Sequence, residues 1–135
     1  MDPASLPAAD QGFAGLIGMH DITAGEDGAL LTSVPVRPEL LQPFGLVHGG
    51  VYAAIAETLA SIGTFVAVHE QGMHAMGLSN STSFLRPILD GTIHATARPI
   101  HRGRTTWLWD VTCADDDGRA CAITRMTIAV RPARS

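Results

Sequence analysis

Charge is scarce in this chain: Asp, Glu, Lys and Arg make up 16% of its 135 residues, against 46% hydrophobic residues. A composition of that kind affords a packed core and excludes extended disorder. Cationic groups are in the minority as well, for the formal net charge is −4. A surface built to neutralise a nucleic-acid backbone is therefore excluded. Cysteine is limited to Cys113 and Cys121, with no CxxC and no clustered His/Cys spacing. That pair reads as two buried reduced thiols rather than a disulfide framework or metal site. The six His are dispersed, and His69 and His74 read as surface residues. Residues 1–12 lack a basic stretch followed by an apolar run, so no signal peptide is expected there. The apolar stretch Val47 to Val68 is broken by Glu57, Gly49, Gly50, Ser61 and Gly63, which argues against a membrane span. The reading is a soluble cytoplasmic protein of one domain.

What is present is a clear change of hydrophobic period. Residues 1–27 are expected to form a loose arm and a short helix at Phe13 to Met19, followed by a single domain over 28–135. Ala29 to Arg37 reads as a first strand, and one long helix runs from near His48 to Gly72. Beyond it the period becomes two: strands are expected at Met73–Leu85, Thr92–Ile100, Thr105–Ala114 and Arg119–Val130. Asp115-Asp116-Asp117-Gly118 is a hairpin signal, because glycine adopts the positive φ such turns need. One strand, one helix and a four-stranded meander imply an antiparallel sheet with the helix on one face. Val51, Ile55, Leu59, Ile62 and Val66 share one side of the helix and are expected to pack on the sheet. Gly50, Ala54, Glu57, Ser61 and Thr64 share the other, open to a second subunit or a ligand. Trp107 and Trp109 alternate on one strand face and read as core or interface packing.

Glu57 is the residue that asks for a chemical explanation. Between Arg37 and Glu70 the only other charged residue is Glu39. Leaving a carboxylate unpaired among apolar residues costs several kcal/mol or neutralises it. Solvent exposure or pairing across an interface would also explain it. Ser61 lies one turn on, within reach for orienting the carboxylate, and is equally a small packing residue. Gly49 and Gly50 open the helix, where the first N–H groups have no intrahelical partner and the dipole is positive. A carbonyl oxygen has unobstructed access there. Gly49 and Glu57 are eight residues apart, about 12 Å along one helix. A reacting carbonyl must lie within about 3 Å of both donor and base. One chain cannot supply both, whereas two antiparallel helices across a two-fold axis can.

The run Gln42-Pro43-Phe44-Gly45-Leu46-Val47-His48-Gly49-Gly50, with Glu57 nine residues after His48, resembles the hotdog thioesterases of the phenylacetyl-CoA and 4-hydroxybenzoyl-CoA type that carry Glu on the central helix. Ser83-Phe84-Leu85-Arg86-Pro87 and His101-Arg102-Gly103-Arg104 match the same family, and the resemblance spans about residues 28 to 130. It implies an α+β hotdog fold, an antiparallel sheet of five to six strands wrapped around one long helix. It implies an acyl-CoA thioesterase acting on an aromatic or medium-chain acyl group. Glu57 would be nucleophile or general base, and Gly49 N–H the oxyanion donor. Gln42 would hold the thioester or water, Ser61 would support the carboxylate, and His48 would shape the loop and assist binding. Gly50, Phe44 and Asn80 would contact substrate, and Arg102, Arg104, Thr105 and Thr106 would face the CoA phosphates. No cofactor, metal, nucleic acid or membrane is called for, and a tetramer built from essential dimers is implied. Phe44, Tyr52 and Phe65 are candidates for an aromatic pocket wall.

Three rival functions share parts of this pattern. An α/β-hydrolase needs a G-x-S-x-G elbow, and Gly77-Leu78-Ser79-Asn80-Ser81 lacks the closing Gly. A hotdog (de)hydratase would carry a Pro-rich segment after the His, where Gly49 and Gly50 stand instead. A non-catalytic acyl-CoA-binding module would keep the pocket and arginines without needing Glu57 beside Ser61.

Overall fold

The computed structural model describes residues 11–134. The expected loose arm lies outside that range over residues 1–10. The described residues open with helix α1 (Gly12–Ile17), a short strand β1 (Ile22–Ala24) and strand β2 (Leu30–Pro35). Helix α2 (Gly49–Val68) follows, then β3 (Met73–Phe84), β4 (Thr92–Arg102), β5 (Thr106–Ala114) and β6 (Ala120–Pro132). The strands form one six-stranded antiparallel sheet in the order β1-β2-β4-β5-β6-β3. Residues alternate with period two along β5, where Trp107, Trp109, Val111 and Cys113 turn inward. Both cysteines are buried free thiols. Gly118 takes φ +79° in the β5–β6 turn, as the hairpin signal required.

The strand arrangement differs from the expected one in two respects. The three-residue strand β1 was missed because so short a segment carries no readable period. The four later strands do not form a simple meander: β3 pairs with β6 at the far edge rather than with β4. The connection from β3 to β4 contains Pro87, which has no N–H to give a ladder. Its backbone is satisfied elsewhere, Leu85 N–H donating to Cys121 O (2.8 Å), while Val47 and Val36 donate to Ile88 O and Gly91 O. The segment thus crosses from the β6 edge to the β2 side instead of turning back on β3.

Helix α2 packs on β3, β6, β4, β5 and β2. By length and composition Gly49–Gln71 would cross a membrane, yet it is the core helix here. Ile55 and Leu59 are fully buried, each worth roughly 1.5–3 kcal/mol. The buried stripe is wider than expected and includes Tyr52, Ala56, Ala60, Gly63 and Thr64, while Ile62 and Val66 stay half-exposed. Thr64, expected on the open side, is fully buried. It is drawn inward because its hydroxyl accepts from Trp109 Nε1 (2.9 Å) and donates to Ala60 O (2.8 Å). Beside it, a Cβ on Gly63 would lie 2.3 Å from Trp109 Cη2.

Gly63→Ala should gain up to about 1 kcal/mol in helix propensity. Crowding a fixed, fully buried indole should cost about 1–3 kcal/mol or more, so the net sign is destabilising. A urea midpoint equal to that of wild type would show that Trp109 yields freely. Burial also raises the Cys113 thiol from 9.0 to about 12, with a further push from the Cys121 thiolate. A raised folded pKa favours the protonated native state. That contribution is complete below about pH 9 and is lost as pH climbs towards about 12. Denaturation midpoints across an alkaline series should fall through this window, and should fall less for Cys113→Ala.

Candidate active site

The turn before α2 is tied down by its own backbone. Gln42 N–H donates to Leu46 O (2.8 Å), and Gly45, at φ +90°, donates back to Gln42 O (3.0 Å). The Gln42 side chain closes the same turn, its Oε1 accepting from Phe44 N–H at 2.5 Å. His48 is the N-cap of α2, with extended backbone and its Nδ1 accepting Gly50 N–H at 2.8 Å. Because Nδ1 is the acceptor, the neutral ring carries its proton on Nε2. Val51 N–H donates to His48 O. Gly49 N–H alone of these three has no partner among the described residues.

Glu57 sits two turns further along, exposed, with no hydrogen bond or ion pair among the described residues. It lies over the β3 edge, where a Cβ on Gly77 would stand 3.6 Å from its carboxylate carbon and Oε2. The register of β3 against β6 slips between Gly77 and Ser79, a bulge at the point of contact. Glu57 lines a depression of about 640 Å³ with Phe13, Ala53, Ala54, Thr58, Ser61 and Asn80. Asn80 Nδ2 donates to Ala53 O (2.9 Å), and its Oδ1 accepts from Thr82, whose hydroxyl meets Thr124 at 2.8 Å. Ala53 O is the helical acceptor for Glu57 N–H, so this polar chain ties the turn bearing Glu57 to β3 and β6.

Gly49 lies in a second depression of about 520 Å³, with Gln42, Tyr52, Phe84 and Arg86 on its walls. The two depressions share no residue. Burial pushes the Tyr52 hydroxyl up to about 12.

The structure therefore brings Glu57, Ser61 and Asn80 together, and separately Gln42 and Gly49. Ser61 shares the depression but makes no hydrogen bond to Glu57 in the protomer. Gly50 has its N–H committed to His48 and is not available to an oxyanion. Phe44 is 87% exposed at the loop tip and lines neither depression. The expected wall of Phe44, Tyr52 and Phe65 does not converge: Tyr52 tilts against Phe84, and Phe65 stacks on His69 at 5.0 Å. Arg102, Arg104 and Thr105 lie at the C-terminal end of α2, beside Val68, with Thr106 O accepting Gly103 N–H. Val68 is about 16 Å along the helix from Glu57. Arg102 donates to Asp27 O (2.7 Å) and lies 5.9 Å over the Trp107 ring. Residue patterns missed Phe13, on a helix too short for a period to show. They also missed the ring of Phe84, which covers Gly49 closely enough that a Cβ there would meet it at 2.7 Å.

Residues 44–122 match the family model described as thioesterase superfamily. The chain is 37% identical over 105 residues to the proofreading thioesterase EntH of Klebsiella pneumoniae, covering 78% of this chain and 76% of that one. A crystal structure of a mutant of thioesterase PA1618 from Pseudomonas aeruginosa superposes with a TM-score of 0.89 at 36% identity, covering 98% of this chain and 95% of that one. Thioesterase HI1161 from Haemophilus influenzae superposes at 0.87 with 30% identity, over 94% and 87% of the two chains.

Removing the His48 cap should cost about 0.5–2 kcal/mol. His48→Ala is expected to lower the melting temperature measurably and His48→Asn to restore most of it. Identical melting of all three proteins would mean the cap contributes nothing.

Proposed function

The chain belongs to the thioesterase superfamily and is a thioester hydrolase, and from that premise we propose that it cleaves acyl-CoA thioesters at a site shared by two subunits. The observation that carries this reading is the division of labour along α2. Gly49 N–H and the Glu57 carboxylate, both without a partner among the described residues, belong to residues that line separate depressions and stand about 12 Å apart along the helix. Neither set suffices alone.

The thioester oxygen accepts Gly49 N–H of one subunit at the positive end of its helix, where charge develops in the tetrahedral intermediate. Glu57 of the other subunit either attacks the carbonyl carbon or takes a proton from a water that does. Collapse expels the CoA thiolate and leaves the acid, or an anhydride that water then opens. Gln42 holds the thioester or water, and Ser61 supports the carboxylate. Arg102 and Arg104, with Thr105 and Thr106, take the CoA phosphates. The acyl group is aromatic or medium-chain, and the setting is the cytoplasm, in keeping with two free thiols.

Dimerisation through β3 supplies the missing half. This twelve-residue strand pairs only with β6, which leaves its outer edge free among the described residues, and it exposes Met76, Leu78 and Phe84. Such an edge is a template for pairing. Two β3 edges joined across a two-fold axis set two α2 helices side by side, with Glu57 near the junction. Pairs of dimers then complete a tetramer.

Glu57→Ala should lower kcat for CoA release by about 10²–10⁴-fold with KM little changed. Gly49→Pro should also inactivate: Pro suits a first helical position and removes the N–H, and its ring displaces the Phe84 side chain that lies over Gly49. Co-assembling the two inactive variants should restore roughly a quarter of wild-type activity, since half the dimers are mixed and each has one intact site. A mixture that stays inactive would place the whole site within one subunit.

A further inference from the structure

Helix α1 has six residues, too few to persist by itself. It is held by its surroundings: Ile17 and Met19 are buried in the core. Gly18 caps the helix at φ +100°, its N–H reaching Ala14 O and Gly15 O. The Arg37 guanidinium donates to Leu16 O. With the helix so anchored, the position of Phe13 is set as well, yet its ring is 64% exposed and stabilises the fold little.

That ring lies on the wall of the Glu57 depression. The other contributors are small or polar: Ala53, Ala54, Thr58 and Ser61 from α2, and Asn80 from β3. Phe13 is the one large apolar side chain among them. Asn80 spends its carbonyl and one N–H on Thr82 and Ala53. The depression therefore offers a ligand one aromatic side chain and two alanines beside a carboxylate.

We infer that Phe13 is a specificity-determining residue, the end wall that limits how long an acyl group fits beside Glu57. This rests on the acyl-CoA reading above. It assigns the apolar acyl group as the occupant, because the ring is continuous with the depression that holds the carboxylate.

The test compares wild type, Phe13→Ala and Phe13→Trp on saturated acyl-CoAs from butanoyl to hexadecanoyl, with gel filtration of each protein. Phe13→Ala should raise the long-to-short ratio of kcat/KM by about tenfold or more, since each methylene in an apolar pocket discriminates by about that factor. Phe13→Trp should move the ratio the other way. Ratios within about twofold of wild type in both variants would overturn the inference. So would an equal loss at all lengths accompanied by dissociation, which would make Phe13 a subunit contact. If wild type cleaves neither this series nor benzoyl-CoA and phenylacetyl-CoA, the proposed function fails instead. Non-hydrolysable thioether analogues, measured by calorimetry, then read the wall directly, and an unchanged length preference in binding would overturn it.

Discussion

Trp109 sets how α2 lies on its sheet, and much else follows from that contact. The indole is fully buried, presses edge-on against Gly63, and hydrogen-bonds the Thr64 hydroxyl. A residue larger than glycine would push the helix away from β5. A residue without a hydroxyl at position 64 would leave a buried N–H unpaired, at a cost of about 1–3 kcal/mol. Sterics thus set the height of the helix, and the hydrogen bond sets its rotation. With rotation settled, Glu57 must point towards the β3 edge rather than into the core.

The carboxylate survives there because the fold gives it room without a partner. Gly77 presents no side chain to it, and the adjacent bulge bends β3 locally. The chain from Thr124 through Thr82 and Asn80 to Ala53 O then holds the underlying helical turn. The Glu is thus exposed on a tethered turn beside a β3 edge that has no partner strand among the described residues. At the other end of α2, His48 and the helix geometry use two of the first three N–H groups and leave that of Gly49. A helix offers its unsatisfied donors only at its start, and a mid-helix side chain is necessarily remote from them. That distance is the reason the proposed site draws on two subunits.

Arg102, at the end of β4, is already engaged by the fold. Arg102 braces the Asp27 turn and covers Trp107, so part of its donor capacity belongs to the fold. A guanidinium has five N–H donors, and under the proposed function those not used by the fold would meet a CoA phosphate.

Sequence alone determined the central helix, its apolar face at Val51, Ile55 and Leu59, the isolation of Glu57 and the glycine-opened start. Each is written in residues a few positions apart, where helical and strand periods act directly. The family resemblance was legible for the same reason, since its motifs are short and contiguous. Tertiary structure decided what local periods do not encode. It placed β3 beside β6, because the Pro87 segment found its hydrogen bonds across the sheet end. It turned Thr64 inward, because Trp109, far away in sequence, needed an acceptor. It also brought Phe13 to the depression of Glu57, although 44 positions separate them. These outcomes depend on which distant groups must satisfy one another once water is excluded, and only the closed fold decides that.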